Sequence, residues 1–170
     1  MDKENDIVLR ELADVLKAER KNLLRYAACR LGSREDAEDA LQDVFLRLHA
    51  RLSAPDGLQI RDLRSYLFRT LSNVCAKGQS HAGRMPTVPL DPTMRLADVP
   101  SDSSAEADCV RIVRLLAEIP EEQAEVIRLR IYADNSFAEV AEILALPLPT
   151  VKSRFRSGLE KIRRAMYRKP

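Results

Sequence analysis

LALPLPTVKSRFRSGLEKIRR, residues 144–164, joins two prolines to a dense run of basic residues at helical spacing. Pro149 suits the first turn of a helix, because the amide that proline lacks would have no acceptor there. Residues 145–148 are therefore predicted to form a turn, and the residues after them a basic helix. Apolar residues recur about once per turn of this helix and are expected to face a core: Val151, Phe155, Leu159 and Ile162.

The residues before this stretch predict two more helices. Residues 120–133 are predicted as one helix, with Pro120 in its first turn. In the next helix Ser136 and Glu139 have capping-box spacing. Two helices joined by a tight turn, the second of them basic, are typical of a DNA-binding helix-turn-helix, although an ordinary surface helix carries the same charge. The outward residues near the start of the basic helix are the candidates for DNA contact: Lys152, Ser153, Arg154 and Arg156.

Charge is distributed unevenly, although the formal net charge is only +2. Residues 137–170 hold eight cationic and three acidic side chains, whereas residues 91–125 hold three and nine. A basic end behind an acidic middle favours a polyanionic partner for the end. A solvated, charged helix would show the same imbalance, so charge alone does not decide between the two.

Composition limits the possible classes of protein. The chain has 170 residues, few glycines and no tryptophan, and no long stretch alternates polar with apolar residues, so we predict an all-α fold. Three cysteines and two histidines lie far apart, which predicts no metal and no cofactor, and free thiols fit the cytoplasm. No signal peptide, membrane span, nucleophile–base pair or glycine-rich phosphate loop is evident, so we expect neither membrane insertion nor an enzyme.

Helical periodicity and proline content predict the organisation of the chain. Gly32 is expected to end the first helix and Ser33 to cap the second. Prolines and a Ser/Asp cluster interrupt the pattern in the middle of the chain, which indicates a flexible linker between two small helical domains. The predicted helices of the first half span residues 7–31, 34–51 and 62–76, with turn residues at 55–57. The predicted domains are 1–80 and 107–170, with the linker at 81–106.

Two signatures carry a family resemblance. IPEEQAEVIRLRIYADNSFAEVAEILALPLPTVKSRFRSGLEKIRRAM, residues 119–166, resembles region 4 of extracytoplasmic-function (group IV) bacterial sigma factors. REDAEDALQDVFLRLH, residues 34–49, is similar to the region-2 signature of that family, and residues 60–73 resemble the next part of region 2 and the iron-citrate type. The matching positions are Asp39, Gln42, Phe45, Leu46, Ser136, Glu139, Ala141, Leu144, Pro147 and Thr150 to Arg154.

The resemblance implies an alternative sigma factor that binds core RNA polymerase and promoter DNA. It implies contact with the β′ clamp through Asp39, Gln42, Asp43, Phe45 and Arg47. It implies minus-10 contacts by Tyr66, Arg69, Asn73 and Lys77, and minus-35 contacts by Thr150, Lys152, Ser153, Arg154 and Arg156. Contact with the β flap and an anti-sigma partner are further implications. Phe45 is also a candidate for the core. Tyr66 or Phe68 could stack on a base, but a core position is expected for both.

Departures from the family pattern keep two other functions open. The chain has few basic residues after Asn73, and Asn135 and Pro149 stand where the family usually has glycine. A helix-turn-helix regulator that never joins polymerase would not need the region-2 signature. A sigma-like decoy that sequesters an anti-sigma factor would be compatible with the thin basic cluster after Asn73.

Overall fold

A computed structural model describes residues 2–54, 60–82 and 103–168 of the chain. The described part contains seven α-helices and no strand, which confirms the all-α prediction. The chain divides into two compact units, Met1–Arg84 and Met85–Pro170. The helices are α1 Asp2–Leu31, α2 Arg34–Leu52, α3 Leu63–Ala82, α4 Ser103–Glu118, α5 Glu121–Ile127, α6 Phe137–Leu144 and α7 Leu148–Tyr167.

In the first unit α1, α2 and α3 pack against one another. Gly32 adopts a φ of 75°, and the Ser33 hydroxyl accepts a hydrogen bond of 3.2 Å from the Asp36 amide, so both predicted helix-boundary residues are confirmed. A left-handed residue at this point lets the chain reverse between α1 and α2 without the steric cost of a side chain. The fully buried core residues of this unit include Leu12, Leu23, Tyr26, Val44, Leu48, Leu67, Phe68 and Leu71.

Two arginine contacts join α1 to α3. Arg30 is buried, and its Nη1 donates to Tyr26 Oη at 2.8 Å and to Ser72 Oγ at 3.1 Å. Arg64 donates to Glu19 at 2.7 Å. Burial acts to raise the pKa of Glu19, but hydrogen bonds from Arg64 and Asn22 outweigh it, so that pKa lies below its ordinary value. These bonds fix how α1 and α3 sit against each other.

The helices bordering the predicted linker are longer than expected. α3 runs to Ala82 and α4 begins at Ser103, so both ends of the predicted linker 81–106 are helical. The rest of that linker, and the turn predicted at 55–57, lie outside the described residues.

In the second unit the predicted helix 120–133 is divided. Pro120 is extended (φ −52°, ψ 134°) and precedes α5, and the chain continues after Ile127 as a π-helical turn over Arg128–Tyr132. Arg128 is buried, and its Nη1 donates to Glu121 at 2.7 Å and lies 3.4 Å from Glu125. Helical periodicity predicts one continuous helix here, because a π-helical turn adds only a small shift to the spacing of the apolar residues.

Gly158, not Leu159, faces the second core. Leu159 is 38% exposed, so its predicted core position is wrong. A Cβ atom at Gly158 would lie 2.7 Å from Ile127 Cδ1 and 3.2 Å from Gln123 Cβ, so the missing side chain is what admits α5. Val151 and Ile162 are buried as expected, and Phe155 is half-buried.

Candidate nucleic-acid and polymerase interfaces

The predicted helix-turn-helix is formed by α6 and α7. The Ser136 hydroxyl accepts from the Glu139 amide at 3.1 Å, and the Glu139 carboxylate accepts from the Ser136 amide at 2.7 Å, which confirms the capping box. Ala145 ends α6 in the left-handed conformation (φ 52°, ψ 47°). Pro149 lies in the first turn of α7, and the amides of residues 150 and 151 both donate to Pro147. The turn therefore lies where it was predicted, except that it is one residue shorter, because Leu148 already belongs to α7.

Aromatic packing holds α6 against α7. The rings of Phe137 and Phe155 meet edge to face, with centroids 5.1 Å apart and an interplanar angle of 77°. The Arg130 guanidinium lies 5.1 Å from the Phe137 centroid and donates to the Asn135 carbonyl at 3.2 Å. Because α6 is only eight residues long, this stack and the capping box set its position relative to α7.

The five predicted minus-35 residues are not equivalent in the structure. Lys152, Ser153 and Arg156 are exposed, whereas Thr150 and Arg154 are half-buried. Arg154 Nη2 lies 3.4 Å from Glu122 Oε2, which places its guanidinium against the start of α5. Since successive residues of an α-helix are about 100° apart, Lys152 and Arg154 cannot face the same surface squarely. No sequence pattern pointed to Glu122, because its contact with Arg154 joins residues that are far apart along the chain.

The predicted polymerase-binding residues lie on one stretch of α2. Asp39 and Gln42 are exposed, and Asp43 pairs with Arg47 at 2.9 Å. Phe45 is half-buried, with its ring 5.9 Å from the His49 ring. Leu46, which belongs to the signature but not to the predicted contact set, is 58% exposed. α2 therefore presents one exposed apolar side chain beside the predicted acidic and polar residues.

The predicted minus-10 residues lie along α3. Arg69, Asn73 and Lys77 are exposed, and Tyr66 is half-buried. Arg51 Nη1, at the end of α2, donates to the Tyr66 hydroxyl at 2.5 Å. Arg51 is not recognisable from the sequence, because its proximity to Tyr66 depends on how α2 packs against α3.

Phe68 and Asp62 hold the start of α3 in place. Phe68 is fully buried, as expected of a core residue, and the Arg64 guanidinium lies 5.0 Å from its centroid. The Asp62 carboxylate accepts from the Ser65 hydroxyl at 2.5 Å and from the Ser65 amide at 3.1 Å. The hydrogen bond from the Ser65 hydroxyl contributes most, and together these bonds hold the pKa of Asp62 below its ordinary value.

The turn between the π-helical segment and α6 shows where glycine would be favoured. Positive φ occurs at Asp134 (53°), and Asn135 is not the left-handed residue. Asn135 is fully buried, its Nδ2 donates to the Leu129 carbonyl at 3.1 Å, and its Oδ1 has no hydrogen-bond partner among the described residues. Glycine would therefore be favoured by backbone conformation at Asp134 and not at Asn135. Asn135 instead places a polar side chain in the core.

Within residues 2–54, 60–82 and 103–168, no group of three or more potential metal-ligating His, Cys, Asp or Glu side chains occurs. None of the helices in this part of the chain has the length and apolar character that a membrane span requires.

Comparison with known families assigns both units. Residues 15–84 match the family described as Sigma-70 region 2, and residues 115–164 match Sigma-70, region 4. These matches contain α2, α3, α6 and nearly all of α7, the helices that carry every predicted contact residue.

Relatives include characterised sigma factors. The chain is 30% identical over 135 residues to the ECF RNA polymerase sigma factor SigM of Mycobacterium tuberculosis, covering 79% of this chain and 66% of SigM. It is 27% identical over 155 residues to the RNA polymerase sigma-E factor of Streptomyces coelicolor, covering 90% and 84%. The chain thus spans just under two thirds of SigM and most of the sigma-E factor.

A solved structure shares the fold. Sigma factor RpoE of Bartonella quintana, determined in complex with the anti-sigma factor NepR, superimposes with a TM-score of 0.62 at 22% identity. The superposition covers 92% of this chain and 94% of RpoE.

Proposed function

Because this chain belongs to the extracytoplasmic-function (ECF) group of the sigma-70 family, we propose that it binds core RNA polymerase as an alternative sigma factor and directs transcription initiation. The observation that carries the proposal is that region 2 and region 4 occur in order, each in its own folded unit. A regulator that only binds DNA would need one helix-turn-helix and no region 2. The proposed role is recruitment and positioning, with no reaction catalysed by the chain itself.

In the proposed complex, α7 binds the minus-35 element. Lys152, Ser153 and Arg156 support this role, because they are exposed near the start of a helix that follows a tight turn. Thr150 lies in the first turn of α7, where its hydroxyl suits a phosphate contact. Arg154 can reach a base from the α5 side of this surface if it leaves Glu122. Because the Glu122 carboxylate is largely exposed to solvent, the ion pair between them is weak.

The minus-10 element is proposed to bind along α3, at Tyr66, Arg69, Asn73 and Lys77. Two cations and an amide are exposed on this helix, which suits contact with the sugar-phosphate backbone and base edges. Tyr66 retains part of its ring at the surface, so it is available for stacking in a way that the buried Phe68 is not.

Core polymerase is proposed to bind α2 through Asp39, Gln42, Asp43, Phe45 and Arg47 on the β′ clamp, and the second unit to bind the β flap. The exposure of Leu46 beside these residues supports an apolar centre for the clamp contact. The proposed domain limits are 1–80 and 107–170 with the linker at 81–106. The cytoplasm is the proposed location, because core polymerase is there.

An anti-sigma factor is a proposed partner, supported by the family and by the RpoE structure, which contains one. We further propose the iron-citrate type, on the resemblance at the start of residues 60–73. Pull-down with candidate anti-sigma proteins tests the partner. Loss of transcription when the bound protein is added to the holoenzyme would separate an anti-sigma factor from an incidental ligand.

The decisive experiment is run-off transcription with purified bacterial core polymerase. Promoters are first enriched from a random DNA pool by the holoenzyme, and transcription is then measured from the recovered sequences. We expect transcripts that depend on this chain and on both promoter elements. Failure to bind core would contradict the proposal, whereas sequence-specific DNA binding without core would indicate a regulator. Binding of an anti-sigma factor without any transcription would indicate a decoy.

The region-4 assignment has its own test. Removing the exposed cation Lys152 or Arg156 by substitution with Ala is expected to weaken binding of minus-35 DNA and to lower its salt dependence, because each phosphate contact contributes about 0.9 to the salt slope. Glu160→Ala, on the same helix, removes a side chain that is ion-paired to Arg164 and serves as a control for nonspecific changes in α7.

A further inference from the structure

An arginine at the end of α2 extends toward the proposed minus-10 surface. Arg51 is exposed, and its Nη1 donates to the Tyr66 hydroxyl on α3 at 2.5 Å. Among the described residues no carboxylate lies within ion-pair distance of Arg51. Arg47, one turn earlier, is by contrast paired to Asp43 at 2.9 Å.

The position of Tyr66 makes this contact relevant to DNA. At about 100° of rotation per residue, Tyr66, Asn73 and Lys77 fall within a narrow sector of α3. Arg69 lies at the edge of the same sector. Through its bond to Tyr66, Arg51 adds a cation at the beginning of this row, next to the start of α3. The nearest acidic residue along the row, Asp62, is engaged by the Ser65 amide and hydroxyl.

The chemistry of the pair favours a phosphate ligand. A phenol is neutral, so it orients one donor of the guanidinium and leaves the positive charge in place. A carboxylate would orient the donor and neutralise the charge. The remaining N–H donors of an arginine form a planar fork that matches two phosphate oxygens. A guanidinium that is bonded to a neutral phenol and has no carboxylate partner among the described residues, beside a row of polar and cationic residues, suits a contact to the DNA backbone.

We infer that Arg51 binds a backbone phosphate of promoter DNA at the end of the minus-10 surface, and that the Tyr66 hydroxyl is a positioning group for it. The inference rests on the proposed function, since it assumes that α3 binds promoter DNA. It adds a residue from α2 to a surface otherwise built from α3. It also gives Tyr66 a second role, in which the ring is available for stacking while its hydroxyl fixes a neighbouring cation.

The test measures promoter affinity of the reconstituted holoenzyme at several salt concentrations, with DNA selected by the wild-type holoenzyme. Arg51→Gln is expected to lower the slope of log affinity against log salt by about 0.7 if the phosphate is on single-stranded DNA, and by about 0.9 on duplex. Arg51→Lys should keep the slope near wild type, because it keeps the charge. A slope for Arg51→Gln equal to that of wild type would overturn the phosphate contact.

The role of the Tyr66 hydroxyl is tested by a double-mutant cycle. Tyr66→Phe keeps the ring and removes the hydroxyl, so it should weaken promoter affinity less than Arg51→Gln does. If the hydroxyl acts through Arg51, the double variant should be no weaker than Arg51→Gln alone, because the two changes remove one interaction. Additive losses would show that the hydroxyl does not act through Arg51 and would refute the positioning role.

Controls separate this inference from the proposed function. Arg20→Gln removes an exposed cation from α1 and should leave the salt slope unchanged. Core-polymerase binding and the unfolding transition of each variant are measured in parallel, and both should match wild type. If the wild-type chain fails to bind core, the proposed function itself fails. If wild type initiates transcription and Arg51→Gln behaves as Arg20→Gln does, only the Arg51 contact is refuted.

Discussion

Two glycines in helices provide a matched pair of substitutions with opposite expected effects. Gly158 is buried in α7 against α5, whereas Gly78 is exposed in α3. At Gly158 a Cβ atom would lie 2.7 Å from Ile127 Cδ1 and 3.2 Å from Gln123 Cβ. At Gly78 it would lie 3.4 Å from Leu31 Cδ2, which is an ordinary contact. The same chemical change, Gly→Ala, therefore meets a closed site in one helix and an open one in the other.

The magnitudes follow from two opposing effects. Alanine is favoured over glycine inside a helix by about 1 kcal/mol, which should stabilise both variants. At Gly158 overpacking costs about 1–3 kcal/mol, because Gln123 Cβ moves only with the α5 backbone and the buried Ile127 has little space in which to rotate. Gly158→Ala should thus destabilise its unit by about 1 kcal/mol. Gly78→Ala should stabilise its unit by about 0.5–1 kcal/mol, since only the gain in helix stability remains.

Hydrogen exchange of the full chain, resolved by mass spectrometry of peptides, measures each unit separately. The slowest amides of α5 and α7 report on Gly158→Ala, and those of α1 and α3 report on Gly78→Ala. Urea unfolding followed by circular dichroism provides a second measurement. Equal stabilisation by both substitutions would contradict the close approach of α5 and α7, because the helix-propensity term would then act alone.

Three further predictions follow from single contacts. Asn135→Leu should stabilise the second unit by about 1 kcal/mol in urea unfolding. The buried Oδ1, which has no partner among the described residues, costs more free energy than the Nδ2 hydrogen bond to the Leu129 carbonyl contributes. Destabilisation would indicate that Oδ1 has a hydrogen-bond partner in solution. Asp62→Ala should cost the first unit about 1 kcal/mol at neutral pH as a lost helix cap. The pKa of Asp62 in the folded chain lies below its ordinary value of 3.8, so its contribution to stability is present above that pH and is lost as pH falls through the folded pKa. Unfolding measured against pH should therefore show that Asp62→Ala loses less stability in acid than wild type does. An equal loss of stability in both proteins would disprove the cap. Glu122→Gln should raise affinity for minus-35 DNA by less than about fivefold, since an exposed ion pair is worth about 1 kcal/mol or less; unchanged affinity in DNA titrations would show that Glu122 does not compete with DNA for Arg154.

Local features of the fold were predictable, because they depend on residues close together in the chain. Ser33, Gly32 and the Ser136–Glu139 capping box act within one helical turn, and each has its predicted role. The all-α class and the helix-turn-helix followed from periodicity, from Pro147 before α7 and from Pro149 in its first turn. The family resemblance located the candidate surfaces on α2, α3 and α7, although the contacts of individual residues with polymerase and DNA remain predictions.

The residues that the sequence analysis placed wrongly or left out all depend on a second helix. Leu159 has a helical spacing suitable for the core, yet Gly158 takes that place because α5 approaches α7 closely there. Arg51 contacts Tyr66 only because the end of α2 packs beside α3. Periodicity gives the spacing of residues along one helix, but it does not give the direction from which the next helix arrives.

The sequence by itself determined the all-α class, the position of the turn before α7 to within one residue, and the family that the chain resembles. These features arise from backbone conformation, capping and residue order, which are local. Only the tertiary structure decided that Arg154 rests against Glu122 while Lys152 and Arg156 remain exposed on the same basic helix. The physical reason is that the exposure and partner of a long charged side chain are set by the neighbouring helix, whose position depends on packing across the whole unit.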